Sequence, residues 1–261
     1  MTTFIAIVSS KGGVGKTTAS INLAAALTSF SRNTIVVDCH FQKPNVGLYL
    51  GYTHTPKSIN NALDGKHKLS EAIYLHPSGI HVVPADMSIE AVQKKFDREH
   101  IADTMTDLLY KSEVVLVDTP SDHAEMEKIV NACDAVIFVT TPEMIALTEV
   151  IKTKSFLSKL HKKNLGVVIS MNQNQHFDIS KTDIEEMLNL SIIGDIPYDV
   201  DLIHAQSKKY PVVYASSNSH STIAYKKLAA NLIGQPFEHK REENESFWSY
   251  LLMRLGFRDP K

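Results

Sequence analysis

The stretch Lys11 to Thr18, KGGVGKTT, follows an apolar run from Phe4 to Val8 and precedes the alanine- and leucine-rich segment Ala19 to Leu27. Strand, tight glycine loop and helix in that order predict a phosphate-binding loop. Gly12, Gly13 and Gly15 let the backbone around Val14 turn its N–H groups inward, where a side chain would block an approaching phosphate. The helix expected from Thr17 adds the positive end of its dipole. Lys16 can reach the outer phosphates of a nucleotide, and the Thr17 hydroxyl is placed to ligate Mg²⁺. A plain turn does not need a lysine followed by Thr17 and Thr18, so a nucleoside triphosphatase is the reading the loop favours.

Composition narrows the classes. A chain of 261 residues with 43% hydrophobic content suits one α/β domain with a substantial core. With 27 basic and 29 acidic residues there is no global positive field, so any nucleic-acid affinity needs a local patch. Cys39 and Cys133 are too few and too distant for a metal cluster or disulfide framework, which suggests a reducing compartment. The start of the chain lacks the pattern of a signal peptide, and no apolar stretch reaches a membrane span. The expected location is cytoplasmic, or peripheral to a membrane.

Short Val- and Ile-rich runs alternate with amphipathic segments. Strands are expected at Phe4 to Val8, Thr34 to Val37, Ile80 to Val83, Val114 to Val117, Ala135 to Val139, Leu165 to Ile169 and Ile192 to Ile196. Helices are expected at Thr17 to Phe30, Leu69 to Tyr74, Ile89 to Lys94, Ile101 to Leu109, Ala124 to Asn131, Met144 to Lys159, Ile179 to Leu188, Val200 to Ser207 and Ser219 to Leu232. The alternation implies an α/β fold whose mostly parallel, twisted sheet is covered by helices on both faces. Ligands of such sheets lie beyond the carboxyl ends of the strands.

Two carboxylates stand at those ends. Asp118 closes the run VVLVD and is followed by Thr119 and Pro120, a Walker B arrangement able to hold Mg²⁺ directly or through water. Asp38 closes VVD on the second expected strand. Asn172 and Pro197 follow two further strands and fall on the same edge.

Lys11 carries the next step. With a lysine at that position the loop resembles the deviant Walker A signature of the MinD/ParA/Soj ATPases, a SIMIBI-type P-loop family, and is nearest its MinD-like septum-site members. The resemblance runs from Phe4 to about Leu232 and includes KKYPVVYASSNS, with Lys209 and Pro211. It implies that Lys11 reaches a nucleotide held by a partner subunit and so couples ATP to dimerisation. It also implies Mg²⁺ near Thr17, Asp38 and Asp118, an adenine contact at Asn172, and a base-flanking loop from Pro197 to Asp199.

Asp38, Asn45 and Gly47 match the family pattern after the second strand, but His40 stands where a second aspartate is implied to act on the attacking water. A neutral imidazole can accept a proton but cannot supply a fixed negative charge. Ser121 and Asp122 replace the small residue and glycine common after Pro120, in the loop implied to sense the γ-phosphate. Asp122 is expected to cap the following helix.

The chain divides into an ATPase domain (1–237), a charged linker (238–245) and an amphipathic tail (246–261). In the tail, SFWSYLLMRLGF, Phe247, Leu251 and Leu255 stack at helical spacing beside Trp248 and Leu252. It resembles the membrane-targeting helix of MinD proteins, although packing on the domain or oligomerisation are alternatives. The leading expectation is therefore an ATP-dependent homodimer that hydrolyses ATP to ADP. It would recruit an activator or cargo protein and cycle to the inner face of the cell membrane through lipid contact. The alternatives are a ParA-like module that binds nonspecific DNA through Lys152, Lys154, Lys159, Lys162 and Lys163, and a nucleotide-gated scaffold with little hydrolysis.

Overall fold

A computed structural model describes residues 2–93, 100–173, 175 and 178–237. The linker and tail, 238–261, lie outside the described residues, as does the expected helix end at Lys94. The strands are β1 (Thr3–Val8), β2 (Thr34–Asp38), β3 (Tyr74–Leu75), β4 (His81–Val83), β5 (Val114–Asp118), β6 (Ala135–Thr140), β7 (Lys163–Asn172) and β8 (Ile192–Pro197). They form one sheet in the order β3-β4-β2-β5-β1-β6-β7-β8, parallel throughout except for the β3–β4 pair.

The helices are α1 (Lys16–Ser29), α2 (Val46–Leu50), α3 (Ile59–Leu63), α4 (Ile89–Gln93), α5 (Ile101–Met105), α6 (His123–Asn131), α7 (Met144–Leu157), α8 (Lys181–Leu188), α9 (Val200–Ser207), α10 (Val212–Ala215) and α11 (His220–Leu232). Successive strand side chains alternate between two cores, as a sheet covered on both faces requires. Phe4, Ala6 and Val8 of β1 pack with residues of α3 to α8, while Ile5 and Ile7 pack with those of α1, α2 and α9 to α11. Each such aliphatic side chain, fully buried, contributes about 1.5–3 kcal/mol, so the central strands anchor the site above them.

The fold class is the one expected, with local corrections. The segment Leu69 to Tyr74 is a single tight 3₁₀ turn at Leu69–Ala72, and Tyr74 then enters the antiparallel edge strand β3. The expected helix Ile101 to Leu109 ends at Met105 and tightens into a 3₁₀ turn at Thr106–Leu108. Ser180 caps α8 by accepting from the Asp183 N–H, so that helix starts later than its apolar pattern suggests.

Candidate functional site

At the carboxyl ends of β1, β2 and β5 the register sets Asp118 beside both Ile7 and Asp38. The glycine loop leaves β1 directly above them. Gly13 and Gly15 have φ of 79° and 88°, the left-handed region in which a side chain is strained, and Gly15 is the N-cap of α1. Nothing lies within 4 Å of a Cβ built on Gly12 or Gly13, so the loop faces open space. Ser170 Oγ donates to the Val14 carbonyl at 2.5 Å and pins the loop from β7.

Lys16 is 7% exposed, and its Nζ donates to Ser121 Oγ at 2.8 Å. Among the described residues no carboxylate forms an ion pair with it. Burial pushes its ammonium below the ordinary lysine range, and the Asp118 carboxylate opposes that shift. Thr17 Oγ1 donates to Asp118 Oδ2 at 2.6 Å, with Ser20 Oγ 3.5 Å from Oδ1. Desolvation pushes the buried Asp118 carboxyl up, against the Thr17 bond, the Lys16 charge and Ser20.

These residues fit a Mg²⁺–triphosphate. A buried cation hydrogen-bonded to a neutral hydroxyl matches phosphate, and a hydroxyl paired with a carboxylate matches Mg²⁺, which takes few protein ligands and keeps phosphate oxygens and water. Phosphate oxygens and water would complete the coordination that the Thr17 hydroxyl and the Asp118 carboxylate begin.

Asp38 has a different geometry from an open ligand. Its Oδ1 accepts from the His40 N–H at 3.0 Å and its Oδ2 from the N–H groups of Asn45 and Val46, each at 3.0 Å. The carboxylate therefore holds the loop between β2 and α2 in shape. Desolvation and the neighbouring Asp118 charge push its carboxyl up, while the three N–H donors pull it down. Asp38→Ala leaves those donors without their acceptor, and relief of repulsion with Asp118 offsets part of the loss. We expect the urea midpoint of nucleotide-free protein to fall by the equivalent of about 2 kcal/mol. A raised midpoint would mean that repulsion dominates.

His40 faces inward. It lines a cleft of about 730 Å³ together with Gly12, Lys16, Lys43, Ser121 and Lys209. Burial first, then the charges of Lys16 and Lys43, hold its imidazole down to about 4, so it is neutral at pH 7. Gln42 Nε2 donates to Glu125 Oε1 at 3.0 Å and ties this loop to α6. Asp122 accepts from the Glu125 N–H at 3.0 Å, the capping role expected of it.

Lys11 lies at the rim, where its Nζ pairs with Glu143 Oε2 at 2.6 Å. Glu143 precedes α7, just past the end of β6; its place at a strand exit was the signal available in sequence. Beside the loop, a cavity of about 210 Å³ is lined by Gly13, Thr18, Met171, Pro197, Asp199 and Tyr225, among others. Asn172 is adjacent, but its Nδ2 donates to Asp195 Oδ1 at 2.8 Å, and Met171 is the neighbour that lines the cavity. Asp199 caps α9 and also accepts from the Ser221 N–H.

The lysines suggested as a basic face are mostly engaged. Lys152 and Lys159 pair with Glu149 and Glu127, Lys154 donates to the Leu188 and Asn189 carbonyls, and Lys162 to that of Asn131.

A model of the ParA family, described as an NUBPL iron-transfer P-loop NTPase, matches residues 1–233. The chain belongs to the ParA/MinD family of P-loop NTPases. Within this family, an uncharacterized ATP-binding protein of Methanocaldococcus jannaschii is 31% identical over 255 residues, 96% of each chain. The antiactivator FleN of Pseudomonas aeruginosa is 27% identical, covering 89% of this chain and 86% of its own. The septum site-determining protein MinD of Pyrococcus horikoshii, complexed with Mg-ADP, has a TM-score of 0.84 at 28% identity, covering 89% of this chain and 96% of its own. Family and fold are thus those that the loop and Asp118 led us to expect.

Proposed function

We propose that this chain is an ATP-driven molecular switch. Two copies close on Mg²⁺–ATP, with Lys11 of each reaching the other's nucleotide, and hydrolysis to ADP and phosphate releases them. The observation that carries this reading is the buried Lys16 ammonium, which donates to the neutral Ser121 hydroxyl beside the Thr17–Asp118 pair. Bound Mg²⁺ supplies positive charge to the phosphates. The glycine loop and the amino end of α1 orient them, Lys16 neutralises their outer oxygens, and the loop held by Asp38 closes over that end. Oligomeric mass with ADP, ATP and a nonhydrolysable analogue tests the switch; a mass that ignores the nucleotide eliminates it.

In this reading His40 makes turnover slow, because a neutral imidazole stands where the family pattern implies an aspartate. His40→Asp is expected to raise the rate of phosphate release by about tenfold or more. An unchanged rate rejects a special role for His40.

The same switch, we propose, serves spatial organisation such as cell division, attaching reversibly to membrane through residues 246–261 and recruiting an activator or cargo protein. No helix among the described residues is long and apolar enough to cross a membrane. An interfacial tail would give such reversible attachment, made stronger by avidity in the dimer. Sedimentation with anionic liposomes, with and without 244–261, should show ATP-dependent binding only for the full chain.

A further inference from the structure

The contact between Lys16 and Ser121 has an unused half. Ser121 Oγ accepts from the Lys16 ammonium at 2.8 Å. A hydroxyl carries one proton to donate besides its lone pairs, and among the described residues the Ser121 proton has no acceptor. The side chain lines the same cleft as Gly12, Lys16, Thr17 and His40, and rotation about its C–O bond lets that proton point into the space available to phosphate. The position is fixed from both sides. Thr119 Oγ1 donates to the Ile7 carbonyl at 2.8 Å, and Asp122 caps α6 immediately after Ser121. Ser121 is therefore held on a short rigid connection between the strand that ends in Asp118 and the next helix.

We propose that Ser121 is a specificity-determining residue for the nucleoside triphosphate. Its hydroxyl donates to an oxygen of the terminal phosphate while still accepting from Lys16. A diphosphate, lacking that oxygen, leaves the donor unused. The inference rests on the ATP-binding reading above and adds to it a side chain that tells ATP from ADP.

The geometry also fixes what to measure. Removing the hydroxyl deprives the buried Lys16 of its hydrogen bond in the nucleotide-free protein, which changes the apparent affinity for ATP and ADP by the same factor. That factor cancels in the ratio of the two affinities, and only the contact to the terminal phosphate remains. A hydrogen bond to a charged group lost in this way corresponds to about a tenfold change.

The experiment is calorimetric titration of full-length wild type, Ser121→Ala and Ser121→Thr with Mg²⁺–ATP analogue and Mg²⁺–ADP. The ATP-to-ADP affinity ratio should fall about tenfold in Ser121→Ala and return in Ser121→Thr, which keeps the hydroxyl. Ser121→Gly supplies the same deletion should the alanine variant not fold. An unchanged ratio in the deletion variant, with wild type binding ATP, overturns the role of Ser121 alone. Wild type that binds neither nucleotide overturns the switch itself, and the inference with it.

Discussion

Lys16→Met is expected to weaken Mg²⁺–ATP binding by at least about a hundredfold while leaving the thermal midpoint of the nucleotide-free protein unchanged or higher. Function and stability separate here because the ammonium sits where it costs the empty protein free energy. It is nearly buried, its charge is disfavoured by desolvation, and its hydrogen-bond partner is the neutral Ser121 hydroxyl. Methionine has similar length and no charge to desolvate, so the lost charge-assisted hydrogen bond, worth about 1.5–3 kcal/mol, and the lost attraction to Asp118 are offset by the removed burial penalty. With phosphate present the balance reverses. A hundredfold corresponds to about 2.7 kcal/mol, within reach of one or two charge-assisted bonds. Calorimetric titration and differential scanning on the same samples check both halves. Wild-type affinity in Lys16→Met would remove Lys16 from the site.

The phosphate loop was legible because several local signals agree within the 24 residues from Phe4 to Leu27: an apolar run, glycines at the tight positions, the Lys-Thr pair and an alanine- and leucine-rich continuation. Asp118 was legible for a similar reason, since a buried parallel strand ends in a carboxylate next to that loop. What escaped is short or distant. Helices α2 and α10, of five and four residues, are too brief to display a 3.6-residue period. The two residues of β3 owe their strand to pairing with β4 and not to propensity. Helix α3 is as short, but the segment Thr53 to Ser58 reads as a loop leading into a short helix, and Ser58 is its cap.

The site shows the same division. Residue types reveal which groups can bind phosphate, but not which groups restrain them. The bonds from Asp38 to three N–H groups depend on the path of the backbone from Cys39 to Val46, which no side-chain pattern encodes. Asn172 was singled out for a strand-exit position that it does occupy. Yet Met171, with φ of 53°, lines the cavity, and Asn172 donates to Asp195. One residue of backbone geometry decides which of the two neighbours lines the cavity.

Those restraints also connect. The Gln42–Glu125 bond joins the loop carrying His40 to α6, and the Lys16–Ser121 bond joins the phosphate loop to the same connection from its other end. The segment from Ser121 to Glu125 is thus the element to which both loops are tied. Coupling needs such a shared element whose balance the ligand can bias.

Lys11→Ala is expected to leave the protein monomeric with ATP, whereas Glu143→Gln should shift dimerisation by no more than about fivefold. The two partners of one ion pair should differ this much because of what each would meet in the proposed dimer. In the single chain their 2.6 Å contact is exposed, with 28% of the Lys11 side chain and 60% of the Glu143 side chain open to solvent. Pairs so exposed contribute about 0–1 kcal/mol, too little to keep Lys11 from a triphosphate. Across a closed interface the same ammonium meets several phosphate charges with water excluded, where charge-assisted bonds are worth about 1.5–3 kcal/mol each. Glu143 thus acts as a weak resting partner. Removing it saves the small free energy needed to release Lys11, and dimers should form at slightly lower concentration. Analytical ultracentrifugation with a nonhydrolysable ATP analogue measures both variants. Dimers of undiminished strength in Lys11→Ala would show that this lysine does not act across the interface, and a dimerisation constant shifted a hundredfold by Glu143→Gln would show that the ion pair itself is the lock.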